Sequence, residues 1–217
     1  MSASRESTPA IAPDGRPGAI ARVVDVVVDP RAAFREIAEK PSWLAALLTV
    51  VVVRLISLFA FYQPDASPGK LLAGIAFQFA TITPMLLAAT TLLWVSGHVW
   101  GVGFGWRSGF SIAVHVYLAY TVVTIAVASV AAATLPASVE VDLREPPFVN
   151  LRDLADPAQS PTLARLLGEA DVRSVYALIL VAVGITAAHP SASTARIVGV
   201  VASCFAVRVM VATWLPG

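Results

Sequence analysis

Four long apolar runs divide the chain, over residues 43–62, 71–94, 110–135 and 197–215. A helix needs about 20 apolar residues to cross the roughly 30 Å hydrocarbon core of a bilayer, and each run meets or approaches that length. A further run, over 172–188, approaches the lower limit of about 17 residues if Arg173 snorkels to the membrane surface. The pattern therefore predicts an all-α membrane bundle of five transmembrane helices. If the run over 172–188 were re-entrant instead, the C-terminus would lie on the other side of the membrane.

A short amphipathic helix is predicted just before the first run. Asp29 can cap this helix, and Pro30 suits its first position because the missing N–H would have no partner there. Phe34 and Ile37 lie on one narrow apolar stripe, and Pro41 ends the helix. The favoured interpretation is that the stripe packs on the bundle or lies in the membrane interface. The alternative is that Phe34 and Ile37 dock a partner protein.

The composition supports a membrane protein. Of the 217 residues, 57% are hydrophobic and 13% are charged, and the mean hydropathy is +0.76. A soluble domain usually carries about a quarter of its residues as charged side chains. The single cysteine, Cys204, excludes an intramolecular disulfide and a cysteine-based metal cage. Residues 1–18 are rich in Ser, Pro and Gly and are expected to be disordered. No secretory signal is expected, because charges interrupt the apolar segment near the start.

Basic residues are concentrated before the first run, and acidic residues in one connection. The tail holds six cations, Arg5, Arg16, Arg22, Arg31, Arg35 and Lys40. The connection over 136–171 holds seven carboxylates. Because positive charge favours the cytoplasmic side, the N-terminus is predicted to be cytoplasmic, and the acidic connection and the C-terminus outside. The excess of arginine over lysine suggests a GC-rich bacterial source, so the membrane is expected to be the bacterial inner membrane.

Two arginines interrupt the apolar runs, Arg54 in the first and Arg208 in the last. An unpaired arginine at the bilayer centre costs at least about 2.5 to 3.5 kcal/mol, and such residues are candidates for function. Snorkelling with carbonyl contacts is one interpretation, and an anion, lipid-headgroup or partner site is the other. Arginine suits such a site because its planar fork binds phosphate or carboxylate with two hydrogen bonds. We expect Arg54 and Arg208 to line a shared polar pocket in the outer half of the membrane.

Patterns for catalysis and metal binding are weak. All acidic residues lie outside the apolar runs, so no acid–base pair is available within them. The glycines of GVGFGWRSG lack the preceding strand and the Lys-Ser/Thr of a phosphate loop, and their spacing of four favours close helix packing. Zinc bound by His98, His115 and His189 is the less favoured alternative, because their spacing matches no known site. We therefore predict no catalytic residue, no metal and no cofactor. Hydroxyls of the third run, including Thr121 and Thr124, are expected to hydrogen bond between helices.

Three stretches resemble one family of membrane proteins. They are Asp-Pro before a short helix and KPSWLAALLTVVVV, the turn and helix GHVWGVGFGWRSGFSIAVHVYLAYTVV, and the stretch VYALILVAVGITAAHPSASTARIVGVV. In order and pattern they are similar to the Yip (Ypt-interacting-protein) family. The resemblance implies five spans, a cytosolic N-terminus and no catalytic residues. Eukaryotic relatives are associated with Rab-type GTPases and vesicle transport. Their Asp-Leu-Tyr-Gly-Pro signature is absent here, so a bacterial-type member is expected.

The sequence is therefore interpreted as a non-enzymatic integral membrane scaffold or adaptor. Its expected partners are membrane lipids and either another protein or a second copy of itself, and no nucleic acid. The alternative is a small transporter or channel subunit. Two observations stand against transport: the apolar runs lack carboxylates for proton or cation coupling, and no inverted repeat is obvious.

Overall fold

The computed structural model describes residues 19–61, 67–134, 154, 160–169 and 171–214. Helices account for the regular secondary structure of these residues: α1 (Ala19–Val28), α2 (Pro30–Glu39), α3 (Leu44–Phe61), α4 (Pro68–Val99), α5 (Trp106–Thr134), α6 (Pro161–Glu169), α7 (Val172–Ala188) and α8 (Thr194–Trp214). The all-α prediction is confirmed. The predicted disordered tail and most of the acidic connection over 136–171 lie outside the described residues.

Three of the described helices are long and apolar enough to cross a membrane: Leu72–Val99, Trp106–Thr134 and Thr194–Val211. They correspond to the second, third and fifth predicted spans. The first and fourth predicted spans correspond to shorter apolar helices, Leu44–Ser57 and Val172–Ala188. The structure thus confirms a helical protein with several membrane-length helices, while the total of five spans stays a prediction.

The predicted amphipathic helix is α2. The carboxylate of Asp29 accepts a hydrogen bond from the backbone N–H of Ala32 at 3.2 Å, and Pro30 occupies the first turn, as the sequence predicts. Helix α1 precedes α2 and is not predicted, because charged residues interrupt its run of valines. Its Val26 is nevertheless fully buried against α2 and the bundle. Tertiary burial of one face therefore stabilises a helix that the linear pattern does not mark.

Helix α5 is the centre of the bundle and packs on α1, α2, α3, α4 and α7. It carries two apolar stripes on different sides. Val114 and Leu118 pack with α3 and α4, whereas Ile112 and Val116 pack with α2 and α7. Residues two positions apart in a helix lie about 200° apart around its axis, so the two stripes face opposite directions. Helix α8 completes the bundle by packing on α4, α6 and α7.

The contacts along α5 give the direction of its neighbours. Trp43, just before α3, meets Phe110 near the start of α5, with ring centroids 5.3 Å apart. Farther along both helices, Arg54 reaches Tyr117, so α3 and α5 run in the same direction. Helix α7 runs the opposite way, because its start lies beside Tyr120 and its later part beside Ile112.

The turn between α4 and α5 contacts the first half of α8. Gly101 has a φ of +66°, which a residue with a side chain rarely adopts. The indole of Trp100 donates a hydrogen bond to the Ser203 hydroxyl at 3.0 Å and lies over Gly199. A Cβ at Gly199 would overlap that indole, so the glycine is required for the close approach. Of the four glycines spaced by four residues, Gly97 and Gly109 pack closely on Phe104, whereas Gly101 forms the turn and Gly105 has no close neighbour, so the packing prediction holds for two of them.

One packing prediction is wrong. The hydroxyls of Thr121 and Thr124 do not bond between helices, since each donates at 2.8 Å to a carbonyl of α5 itself, four residues earlier. A threonine in a helix satisfies its hydroxyl most easily in this way, and an apolar environment makes such internal bonds valuable. The Ser111 hydroxyl does reach another element, since it donates to the carbonyl of Ser42 at 3.2 Å.

Candidate functional site in the centre of the bundle

Arg54 is held by α3 and directed toward α5. Its Nη1 donates a hydrogen bond to the phenol oxygen of Tyr117 at 2.9 Å, and the pair is partly buried. Neither snorkelling nor carbonyl contact alone describes this arginine, because its observed partner is a side chain on another helix. Sequence reasoning missed Tyr117, since nothing in the linear pattern marks which face of α5 meets α3. The guanidinium has five N–H groups, and the bond to Tyr117 uses one of them.

A second arginine lies deeper in the bundle. Arg173 is 5% exposed and Asp171 is 1% exposed. The Nε of Arg173 donates to Oδ2 of Asp171 at 2.8 Å, and its Nη2 contacts the same oxygen. The other carboxylate oxygen accepts the backbone N–H of Ser174 at 2.6 Å. Asp171 therefore both caps α7 and neutralises Arg173, which compensates the burial of each charge.

Arg173 is packed against Asp171 and Tyr120 and does not extend to an exposed surface, and its position relative to the membrane surface stays a prediction. Helix α7 starts beside Tyr120, which lies about 21 Å along α5 from Trp106 at 1.5 Å per residue. The start of α7 is thus opposite the middle of α5 rather than at the end of the bundle. The guanidinium carbon of Arg173 lies 5.6 Å from the centroid of the Tyr120 ring, which is within the range of a cation–π contact.

These contacts gather two arginines around two tyrosines of one helix. Tyr117 and Tyr120 are three residues apart on α5 and meet Arg54 of α3 and Arg173 of α7 respectively. Asp171 supplies one negative charge against the two arginines, so these three residues together keep a net charge of +1. We call Arg54, Tyr117, Tyr120, Asp171 and Arg173 the central arginine cluster. Its chemistry is that of a cationic hydrogen-bond donor in a poorly solvated environment.

Ser174 adds a polar atom to the same region. Its side-chain oxygen is buried and has no hydrogen-bond partner among the described residues. Buried hydroxyls are normally paired. This hydroxyl lies next to the cap of α7 and is the one such atom that the described part of the chain shows.

Arg208 lies elsewhere. It occupies an exposed position of α8, about 21 Å from the start of that helix at Thr194. Helix α8 packs on α4, α6 and α7, whereas α3, which carries Arg54, packs on α1, α4 and α5. Among the described contacts, Arg54 and Arg173 are the two arginines that reach the tyrosines of α5. A pocket shared by Arg54 and Arg208 therefore stays a prediction.

Phe34 and Ile37 are buried in the bundle. They are 1% and 2% exposed, and they belong to the core that α2 forms with α5 and α7. This burial agrees with the packing interpretation of the stripe. A partner could contact the two side chains only if α2 left the bundle, and docking of a partner through them stays a prediction.

Comparison with protein families identifies the chain. The model of the Yip1 domain matches residues 24–215, which include α2 to α8 completely and the second half of α1. The chain belongs to the Yip1 domain family. Membership confirms the resemblance seen in the sequence and agrees with the apolar, membrane-length helices. No curated protein and no solved structure matches the chain significantly.

The Yip1 family generally comprises non-enzymatic membrane proteins. In the described part of this Yip1 domain, no three His, Cys, Asp or Glu side chains come together as a metal site. The Nδ1 atoms of His98 and His115 instead lie 2.8 and 2.7 Å from carbonyl oxygens of their own helices. Those contacts account for the Nδ1 atom of each imidazole.

Proposed function

We propose that this Yip1-domain protein is a non-enzymatic scaffold or adaptor of the bacterial inner membrane. It spans the membrane five times, with a cytoplasmic N-terminus and an external C-terminus. The helix directions support this topology: α3 and α5, the first and third proposed spans, run the same way, and α7, the fourth, runs opposite to them. In this arrangement α2 lies at the cytoplasmic surface, and the acidic connection before α7 lies outside.

The observation that carries the scaffold function is the exposed apolar surface of α4 and α8. Only 17% of the most apolar part of each of these helices is buried, compared with 39% for α5. Phe77 of α4 and Met210 of α8 are among the large apolar side chains that stay exposed. Such faces are covered by lipid or by helices of another protein or copy. The protein thus offers two broad lateral surfaces for assembly within the membrane.

The central arginine cluster gives the scaffold a ligand function. Asp171 compensates Arg173, so the positive charge of the cluster is carried by Arg54, which also keeps donors beyond its bond to Tyr117. We assign to Arg54 the binding of a lipid phosphate or another anion. Arg208 has the same chemistry at an exposed position of α8 and binds a lipid phosphate there.

Site-directed photo-crosslinking tests the scaffold function. A photoreactive residue at Phe77 or at Met210 should give crosslinks to a second copy or to another membrane protein. The same residue at Val114, which faces the interior of the bundle, should crosslink only within the chain. Crosslinks to lipid alone from both exposed positions would contradict the proposal. Solute flux through proteoliposomes would instead support the transporter alternative.

Cysteine labelling tests the topology. With Cys204 replaced, single cysteines at Ala10, Gln159 and Gly217 are labelled by an impermeant reagent in intact and in opened cells. Five spans place Gln159 and Gly217 on the outer face and Ala10 on the inner face. Labelling of Gly217 from the inner face, with Gln159 outside, would show that α7 does not cross the membrane.

A further inference from the structure

A groove lies between α2 and α7, on the side of the bundle away from α3. Its volume is about 460 Å³. The described residues that line it are Arg31, Arg35, Ile179, Ala182, Val183, Thr186, Ala187 and Pro190. We call it the α2–α7 groove. It is separate from the central arginine cluster, and none of the residues that the sequence marks as candidates lines it.

The groove has a charged edge and an apolar floor. Arg31 and Arg35 are one helical turn apart, so they lie on the same side of α2, and both are exposed. The floor is a face of α7 from Ile179 to Ala187, about 12 Å long at 1.5 Å per residue. Ile179 is 55% exposed at the end of the floor that is farther from the turn to α8. The groove thus combines a cationic edge on α2 with an apolar floor on α7.

The orientation of α7 places the apolar floor along the depth of the membrane. Pro190 follows α7 at the turn to α8, and Trp100 and Gly101 at the α4–α5 turn contact the start of α8, so these turns lie at one end of the bundle. Helix α2 packs toward the same end, since Phe34 lies against Gly184 in the half of α7 nearer the turn to α8. The arginines therefore lie at the membrane surface, and the floor extends from them toward the middle of the bilayer. This step rests on the proposed membrane topology.

We propose that the α2–α7 groove binds an anionic phospholipid, with the phosphate on Arg31 and Arg35 and an acyl chain along α7. Two guanidiniums can hold one phosphate with several charge-assisted hydrogen bonds. Among the described residues that line the groove there is no carboxylate, so a zwitterionic lipid would bring its ammonium group to two cations without an acidic partner. A lipid with net negative charge avoids that repulsion. Binding of this lipid would fix α2 against α7 and couple the cytoplasmic surface to the bundle.

The charge on the groove is tested by lipid competition. The full-length protein is delipidated in detergent and offered equal amounts of phosphatidylglycerol and phosphatidylcholine with identical acyl chains, and the bound lipid is counted by native mass spectrometry. The wild type should retain phosphatidylglycerol preferentially. The variant Arg31→Gln/Arg35→Gln should lose at least about tenfold in its affinity for that lipid, since each cation near an anionic headgroup contributes roughly fivefold.

A charge-matched control separates the groove from general attraction. Lys40 and Arg107 are exposed cations that do not line the groove. The variant Lys40→Gln/Arg107→Gln removes the same total charge and should keep its phosphatidylglycerol within about twofold of the wild type. Equal losses in the two double variants would overturn the proposal, because the effect would then depend only on net charge. Unchanged binding in Arg31→Gln/Arg35→Gln would overturn it as well.

The apolar floor is tested separately. Ala182→Phe fills the groove without changing its charge, and it should displace phosphatidylglycerol while the arginines remain. Glycerol phosphate, which has the headgroup chemistry without the chains, should compete at least about a hundredfold more weakly than the lipid. If it competes equally well, the floor holds no chain and the proposal fails. The scaffold function does not depend on this outcome, because its photo-crosslinks arise from α4 and α8.

Discussion

Arg54 and Arg173 reach the same helix at neighbouring positions, but their environments differ. Arg173 has a carboxylate two residues away in sequence, and both charges are almost fully buried. Arg54 meets a neutral phenol 63 residues away and is only partly buried. The first arginine is therefore part of an ion pair that holds the start of α7. The observed partner of Arg54 is neutral and does not compensate its positive charge, as a site for an anion requires.

The difference shows how a helical membrane domain can carry two arginines for two purposes. A buried charge is tolerated when its counterion comes from the residue that caps the same helix, because the cap already fixes the position of the carboxylate. A charge that is to bind a mobile anion must instead be held by a partner that leaves donors unused. A tyrosine hydroxyl does this, since it accepts one hydrogen bond without neutralising the guanidinium.

The largest effect is expected from Asp171→Asn. The asparagine can still cap α7, but it leaves Arg173 as an unpaired buried charge, so we expect a loss of about 3 kcal/mol or more in the free energy of unfolding. The measurement is unfolding of the purified protein in detergent, together with the yield of folded protein.

Two variants sharpen that result. Asp29→Asn is the same chemical change at the cap of α2, where the carboxylate bonds an exposed backbone N–H, and it should change stability little. Asp171→Asn/Arg173→Met removes both charges and should recover much of the loss. If the double variant were as unstable as Asp171→Asn, the cause would be the lost cap or packing and not the orphaned charge.

The sequence predicts those features of the fold that depend on neighbouring residues. The start of α2 is predicted because Asp29 and Pro30 are a local signal, and α4, α5 and α8 because their apolar runs are long. The start of α7 carries part of the same signal, since Asp171 stands directly before the helix and its carboxylate accepts the backbone N–H of Ser174. Sequence reasoning assigned that aspartate to the acidic connection and therefore missed its pairing with Arg173.

The candidate site depends more on tertiary structure. The bond between Arg54 and Tyr117 forms because α3 and α5 run parallel and in contact, and no residue spacing in the sequence encodes that register. The depth at which α7 starts is likewise a property of the packed bundle. A hydropathy pattern measures only the length and apolarity of a helix, so it does not show that Arg173 lies beside Tyr120.

An intermediate effect is expected at the other arginine, where stability and binding should separate. Tyr117→Phe removes the hydroxyl that accepts from Arg54 and should lower the free energy of unfolding by about 0.6 to 1.7 kcal/mol, the range for hydrogen bonds between membrane helices. Because the guanidinium remains, this variant should still co-purify with anionic lipid. Arg54→Leu should lose that lipid, and Arg54→Lys should retain only part of it because lysine lacks the fork.

These variants distinguish a ligand site from a structural contact. Lipid content and unfolding are measured on the same preparations, with Asp171→Asn/Arg173→Met as a variant altered at the other arginine. If Arg54→Leu keeps its lipid and matches Tyr117→Phe in stability, then Arg54 serves only to join α3 to α5. The assignment of anion binding to Arg54 would then be wrong. The two arginines would then differ only in how deeply they are buried.

The smallest effect is expected at Tyr120, where the same tyrosine-to-phenylalanine change should be nearly silent. Arg173 lies over the face of the Tyr120 ring, and phenylalanine keeps that face. Tyr120→Leu removes it and should lower the free energy of unfolding by about 0.5 to 1 kcal/mol through the cation–π contact, in addition to any loss of packing. Comparing Tyr120→Phe with Tyr117→Phe in the same unfolding assay isolates the role of the hydroxyl at two positions three residues apart. A loss at Tyr120→Phe as large as that at Tyr117→Phe would mean that the Tyr120 hydroxyl, and not its ring, holds Arg173 in place.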